Sequence, residues 1–80
     1  MYFVYAIRSK QDGRIYVGMC GNFENRLREH NAGKARSTKG FRPWELIYIE
    51  EAKDRIEARQ REKYLKSGIG KEFLKSVSVP

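Results

Sequence analysis

The sequence is poor in the devices that staple or anchor a small protein. Of its 80 residues one is cysteine and one is histidine. An internal disulfide is therefore excluded, and so is a structural zinc site of the usual four-ligand kind. Apolar runs are strand-sized, far short of the ~20 residues needed to cross a bilayer. Neither an internal repeat nor a low-complexity segment occurs. Met1 leads straight into Tyr2-Phe3-Val4-Tyr5 without a charged-then-apolar-then-small pattern, so no secretory signal and a cytoplasmic location are expected.

Acidic residues are the scarcer sign. Ten Asp and Glu stand against 17 Lys and Arg, giving a net charge of +7 and predicting attraction to polyanions, nucleic acid before anionic membrane. Five Tyr, four Phe and one Trp add potential stacking faces, although most should be core. The plainer alternative is a soluble protein that is merely basic. With 40% hydrophobic and 34% charged residues the chain is globular, and its length allows one domain, 1–80. Such a chain buries only about 60–65% of its unfolded surface, so every apolar residue counts.

Hydrophobic patterning and punctuation give the element order. Tyr2 to Arg8 is apolar on both parities, a strand covered on both faces. Asp12-Gly13 is a hairpin signal, and Arg14 to Met19 is the return strand. Asn22 caps a helix from Phe23 to Asn31 that ends at Ala32-Gly33. Lys34 to Arg42 is expected to be a flexible basic loop, and Glu45 to Glu50 a third strand. Asp54 and Glu57 make a capping-box-like start for a second helix reaching Lys66. A short helix from Lys71 to Ser76 should present Phe73, Leu74 and Val77 before a frayed tail. The order β-β-α-β-α-α predicts an α+β fold, a small three-stranded antiparallel sheet flanked by helices.

Three groups of residues could carry chemistry. Tyr5 and Tyr16 lie on adjacent strands and could meet if the register allows; most strand tyrosines are ordinary packing residues. Acting as a base at neutral pH would require nearby positive charge to lower the phenol. Gly18 interrupts the second strand, where a bare glycine often marks close approach by a ligand or another backbone. Arg26 and His30 share one helix face, four residues apart. Glu62 falls inside a stripe formed by Ala58, Leu65 and Ile69, where a carboxylate is costly unless a cation or metal ion compensates. A salt bridge to Arg59, Arg61 or Lys66 would do so as well. Glu57 is a competing acid, but its cap position already gives it a structural task.

The ordered set of residues resembles the GIY-YIG nuclease domain, in particular small stand-alone bacterial members similar to the nuclease half of the repair excinuclease. Phe3-Val4-Tyr5 stands at the GIY motif and Tyr16-Val17-Gly18 at the YIG motif. Arg26 follows ten residues after Tyr16, with His30 one turn on. Arg42-Pro43-Trp44-Glu45-Leu46-Ile47-Tyr48 resembles the approach to the third strand, and the segment 57–66 resembles the one bearing the family's metal-binding glutamate, at Glu62. Phe3 for Gly and Val for Ile alter packing, not the phenols. The resemblance implies a metal-dependent endonuclease acting on nucleic acid, DNA before RNA, by a one-metal mechanism. Tyr5 would act as general base, directly or with Tyr16 tuning it, Arg26 would stabilise the phosphorane, and His30 would support the nucleophile or the phosphate. Glu62 would hold Mg²⁺, with Mn²⁺ as a substitute. Gly18, Lys34, Arg36, Lys39 and Arg42 would face the nucleic acid. The rival is a non-catalytic nucleic-acid-binding module with a relic site. No membrane partner is expected, and a protein partner could supply substrate choice.

Overall fold

The computed structural model describes residues 1–77 and has the order β1 (Tyr2–Ser9), β2 (Ile15–Cys20), α1 (Phe23–Asn31), a 3₁₀ turn (Lys39–Phe41), β3 (Trp44–Ala52), α2 (Arg55–Lys66) and α3 (Gly68–Val77). This is the expected α+β fold. The three strands form one antiparallel sheet in the order β2-β1-β3, with β1 in the centre. The frayed tail expected after Val77 lies outside the described residues. No described helix is long and apolar enough to cross a membrane.

Strand alternation divides the core into two layers. Val4 and Ala6 point to one face of β1 and pack with Val17, Ala58, Leu65 and Leu74, placing α2 and α3 there. Tyr5 and Ile7 point to the other face and pack with Trp44, Tyr16, Phe23 and Leu27, placing α1 there. On β3, Trp44 and Tyr48 would share a face in a regular strand, yet they belong to opposite layers. A one-residue shift in register between Ala6↔Tyr48 and Ile7↔Leu46 resolves this, because an extra residue in β3 exchanges its faces.

The helix starts follow their caps. Asn22 Oδ1 accepts from Asn25 N at 3.1 Å, and Asp54 Oδ1 accepts from Glu57 N at 2.8 Å. Glu57 in turn accepts from Lys53 N at 3.1 Å, confirming its structural task.

Two expectations are corrected. The last helix begins at Gly68, three residues before Lys71, because Ser67 closes α2 and also caps α3: its Oγ accepts from Gly70 N at 3.2 Å. The chain restarts its helical register at that point. Ile69 is thereby carried out of the stripe begun by Ala58 and Leu65 and is 73% exposed, while Gly70 and Leu74 are buried in its stead. The 34–42 segment, expected as a flexible basic loop, has local structure, with successive turns, the 3₁₀ turn and a fully buried Thr38.

Gly70 is where α3 crosses the end of α2. A Cβ there would lie 2.1 Å from Tyr64 O and 2.5 Å from Leu65 Cα, both backbone atoms. Overpacking of this kind costs about 1–3 kcal/mol or more, against a gain of ~1 kcal/mol in helix propensity. Gly70→Ala should therefore lower the melting temperature by several degrees. Gly68→Ala, whose Cβ would meet nothing within 4 Å, should leave it unchanged or raise it. Equal melts for the two variants would show that the helix crossing is not tightly packed.

Candidate functional site

The antiparallel register sets the two tyrosines diagonally across β1 and β2, with Tyr5 opposite Gly18 and Ile7 opposite Tyr16. Both face α1. A Cβ on Gly18 would lie 2.6 Å from the Tyr5 hydroxyl and 3.2 Å from the Tyr16 ring. The space left by the glycine is thus filled by the Tyr5 phenol, from within the protein. This is a reason for Gly18 that the sequence-based expectation of a nucleic-acid contact did not contain.

Helix α1 delivers the partners. His30 is fully buried, and its Nε2 lies 2.9 Å from the Tyr5 hydroxyl. Its Nδ1 lies 2.7 Å from Thr38 Oγ1, which is in turn 3.4 Å from Ala35 O. For a neutral imidazole only one assignment of protons makes all three contacts hydrogen bonds. The Thr38 hydroxyl donates to the Ala35 carbonyl and its oxygen accepts from Nδ1–H. Nε2 is then bare and accepts from the Tyr5 hydroxyl. The imidazole ring also sits edge-on to Tyr16, with centroids 5.1 Å apart.

Electrostatics keep this chain neutral at rest. Burial pushes the Tyr5 phenol up to about 12 and outweighs the opposing pull of Arg26 beside it. Burial also lowers His30, reinforced by Arg26 and opposed by Glu29. Arg26 itself donates to Glu29 Oε1 at 2.9 Å, and its pKa is raised by that bond and by the Tyr5 contact. Arg26 supplies the nearby positive charge and lowers the phenol, but burial outweighs it. A free phenolate is disfavoured here, and a proton acceptor stands 2.9 Å from the phenol.

Three site-building residues escaped the sequence reading. Besides Thr38, Asn31 accepts from Trp44 N at 2.7 Å and donates to Trp44 O at 3.2 Å, tying the end of α1 to the start of β3. The Trp44 indole donates to Thr38 O at 2.9 Å, so it holds the threonine against the histidine. No spacing in the sequence marks these partners, which lie six to 13 residues apart and meet through the 34–42 turns.

Glu62 stands apart from this cluster. It lies on α2, in the opposite layer, with its side chain 16% exposed and paired along its own helix to Lys66 at 3.4 Å and Arg59 at 3.9 Å. Arg61 pairs instead with Glu50. No three His, Cys, Asp or Glu among the described residues are grouped to hold a metal ion. One carboxylate held only by two long, exposed pairs nevertheless fits Mg²⁺, which is commonly bound by one or two carboxylates, waters and substrate phosphate. Of the 34–42 cations, Lys34, Arg36 and Lys39 are exposed or half-exposed at the surface. Arg42 lays its guanidinium against Gly33 and donates to Lys39 O at 2.9 Å.

The GIY-YIG catalytic domain model matches residues 1–73. A UPF0213 protein of Clostridium perfringens is 35% identical over 79 residues, covering 98% of this chain and 84% of that protein. The solution NMR structure of a UPF0213 protein from Bacillus halodurans is 32% identical, with a TM-score of 0.57 over 96% of this chain and 85% of that one. The structure-specific endonuclease subunit slx1 of Xenopus laevis is 38% identical over 53 residues, 61% of this chain but 19% of that protein. By the family match over nearly its whole length, the chain belongs to the GIY-YIG catalytic domain family.

Proposed function

We propose that this chain is an endonuclease that hydrolyses nucleic-acid phosphodiesters, DNA before RNA. The observation that carries the reading is the buried Tyr5–His30 bond with Arg26 alongside. Family membership and the similarity to an endonuclease subunit support it. That relative is named as a subunit, and a partner chain that supplies substrate choice belongs to the same proposal.

Tyr5 acts as a relay. As water attacks phosphorus, its proton passes to the Tyr5 oxygen while the Tyr5 proton passes to His30 Nε2. No free phenolate need form, which suits a phenol pushed up to about 12. The imidazolium is held by its Nδ1–H bond to Thr38. Arg26 stabilises the charge that gathers on the five-coordinate phosphorus, the bond to the leaving 3′-oxygen breaks and that oxygen takes a proton from solvent, while His30 returns its proton to Tyr5 as Tyr5 releases its own to solvent. Glu62 would hold Mg²⁺, which when bound supplies charge stabilisation at the phosphate and the leaving oxygen.

Tyr5→Phe keeps the packed ring and should reduce cleavage by about 10²–10⁴-fold, the usual range for proton-transfer assistance. Thr38→Val should reduce cleavage at least tenfold, because Nδ1–H loses its acceptor and the ring is free to take the wrong tautomer. Thr38→Ser should restore it. If Thr38→Val cleaves at the wild-type rate with the same pH profile, Thr38 only fills space.

Glu62→Gln should abolish Mg²⁺-dependent cleavage and leave nucleic-acid binding intact or tighter. Its melting temperature should change little, since the lost pairs have exposed cations and such pairs contribute ~0–1 kcal/mol. A variant that melts lower yet still cleaves with Mg²⁺ would make Glu62 a structural residue. A wild-type chain that binds nucleic acid but never cleaves it, in Mg²⁺ or Mn²⁺, would support the relic binding module instead.

A further inference from the structure

On the α2/α3 side of the sheet, where β2 forms its edge, lies an open groove of about 740 Å³. Among the described residues five cations line it, Arg8, Arg14, Lys66, Lys71 and Lys75, and no carboxylate does. The fold gathers them from far apart in sequence. Arg8 and Arg14 flank the hairpin turn, Lys66 ends α2, and Lys71 and Lys75 stand one turn apart on α3 beside the buried Leu74. Ile15, Val17 and Leu74 add an apolar lining.

Two of its lining residues also touch members of the candidate site. Tyr16 lines it and also contacts the His30 ring. Lys66 lines it and pairs with Glu62. The groove therefore adjoins the tyrosine–histidine cluster and the glutamate, which belong to opposite layers, through one residue each.

We propose that the groove holds a single-stranded segment of nucleic acid running to the scissile position, with phosphates on Arg14, Lys66, Lys71 and Lys75 and sugar and base surface on the apolar lining. The choice of occupant rests on the nuclease reading; the choice of place rests on the groove. Phosphates can displace Asp12 from Arg14 and Glu62 from Lys66, because both are surface pairs of little strength. Arg8 is more firmly held, with Nε and Nη2 on Glu45 at 3.1 and 2.6 Å, and is not assigned a phosphate. A single strand uses both kinds of lining, whereas a duplex keeps its bases stacked inside and offers mainly phosphates. The 34–42 turns, by contrast, are partly committed to the fold through Arg42 and Thr38.

The test measures anisotropy of a labelled single-stranded oligonucleotide with the full chain in EDTA across a salt series, beside thermal melts. Lys71→Gln/Lys75→Gln, at two exposed positions, should melt like wild type and bind at least tenfold more weakly at low salt. Its plot of log affinity against log salt should be shallower by about 1.4, two phosphates at ~0.7 each for single strands. Lys34→Gln/Arg36→Gln should change binding far less. In cleavage assays the groove variant should raise KM and keep kcat. Loss of binding in the loop variant but not in the groove variant would overturn the placement while leaving the nuclease reading standing. Groove-dependent binding without any cleavage would leave the groove standing and remove the nuclease reading. Tighter binding of a duplex of the same length would overturn the single-strand assignment. A wild-type chain that fails to bind either nucleic acid at low salt would overturn the proposal outright.

Discussion

The hydrogen bond between Tyr5 and His30 is the constraint on which the site layer depends. Burying a phenol and an imidazole between sheet and helix is costly unless both are bonded, and each is: Tyr5 to Nε2 at 2.9 Å, and Nδ1 to Thr38 at 2.7 Å. Its geometry imposes conditions on the surroundings. Gly18 must lack a side chain, or the Tyr5 ring has no room. Trp44 must hold Thr38, and Asn31 must hold Trp44. A chain with one cysteine and about 80 residues has few other means of fixing a side chain, so one polar thread both secures α1 to the sheet and prepares a proton acceptor.

The two faces of the sheet divide the labour. The α2/α3 face holds Val4, Ala6, Ala58, Leu65 and Leu74, an aliphatic layer with no charged residue buried in it among the described residues. The α1 face holds Tyr5, Tyr16, Phe23 and Trp44 together with the buried His30 and Thr38. The bulge in β3 permits this division, since it turns Trp44 towards α1 and Tyr48 towards α3 within one strand. Glu62, at the margin of the aliphatic layer, is the member of the candidate site that does not depend on the Tyr5–His30 thread.

Most of the fold was legible in the sequence because its boundaries are written locally. Asn22, Asp54 and Gly33 sit at helix ends, and Gly13 in the hairpin turn takes the positive φ expected of it. The start of α3 was misread because Gly-Ile-Gly has poor helix propensity, and the cap supplied by Ser67 overrides it. Ile69 was misplaced for the same reason: a stripe drawn across Ser67 assumes one continuous helix. At the site, Tyr5, Tyr16, Arg26 and His30 were legible from order and spacing, and the structure brings them together. Thr38 was not, because its value lies in a contact made only after the 34–42 segment has folded back on α1. Nor could the sequence show that burial outweighs Arg26 at the Tyr5 phenol, which depends on how deeply the ring is covered.

The central claim is that neutral His30 presents a bare Nε2 to the Tyr5 hydroxyl. Long-range ¹⁵N–¹H correlation NMR of the imidazole measures this directly. The account predicts a protonated Nδ1 and an unprotonated Nε2 at neutral pH. It also predicts a titration below the ordinary histidine value of about 6.5, because burial and Arg26 both disfavour the charged ring. Between the unfolded and folded values the unfolded chain binds more protons, so stability should fall as the pH drops below about 6.5. A ring that carries its proton on Nε2, or is already charged at neutral pH, would contradict the account.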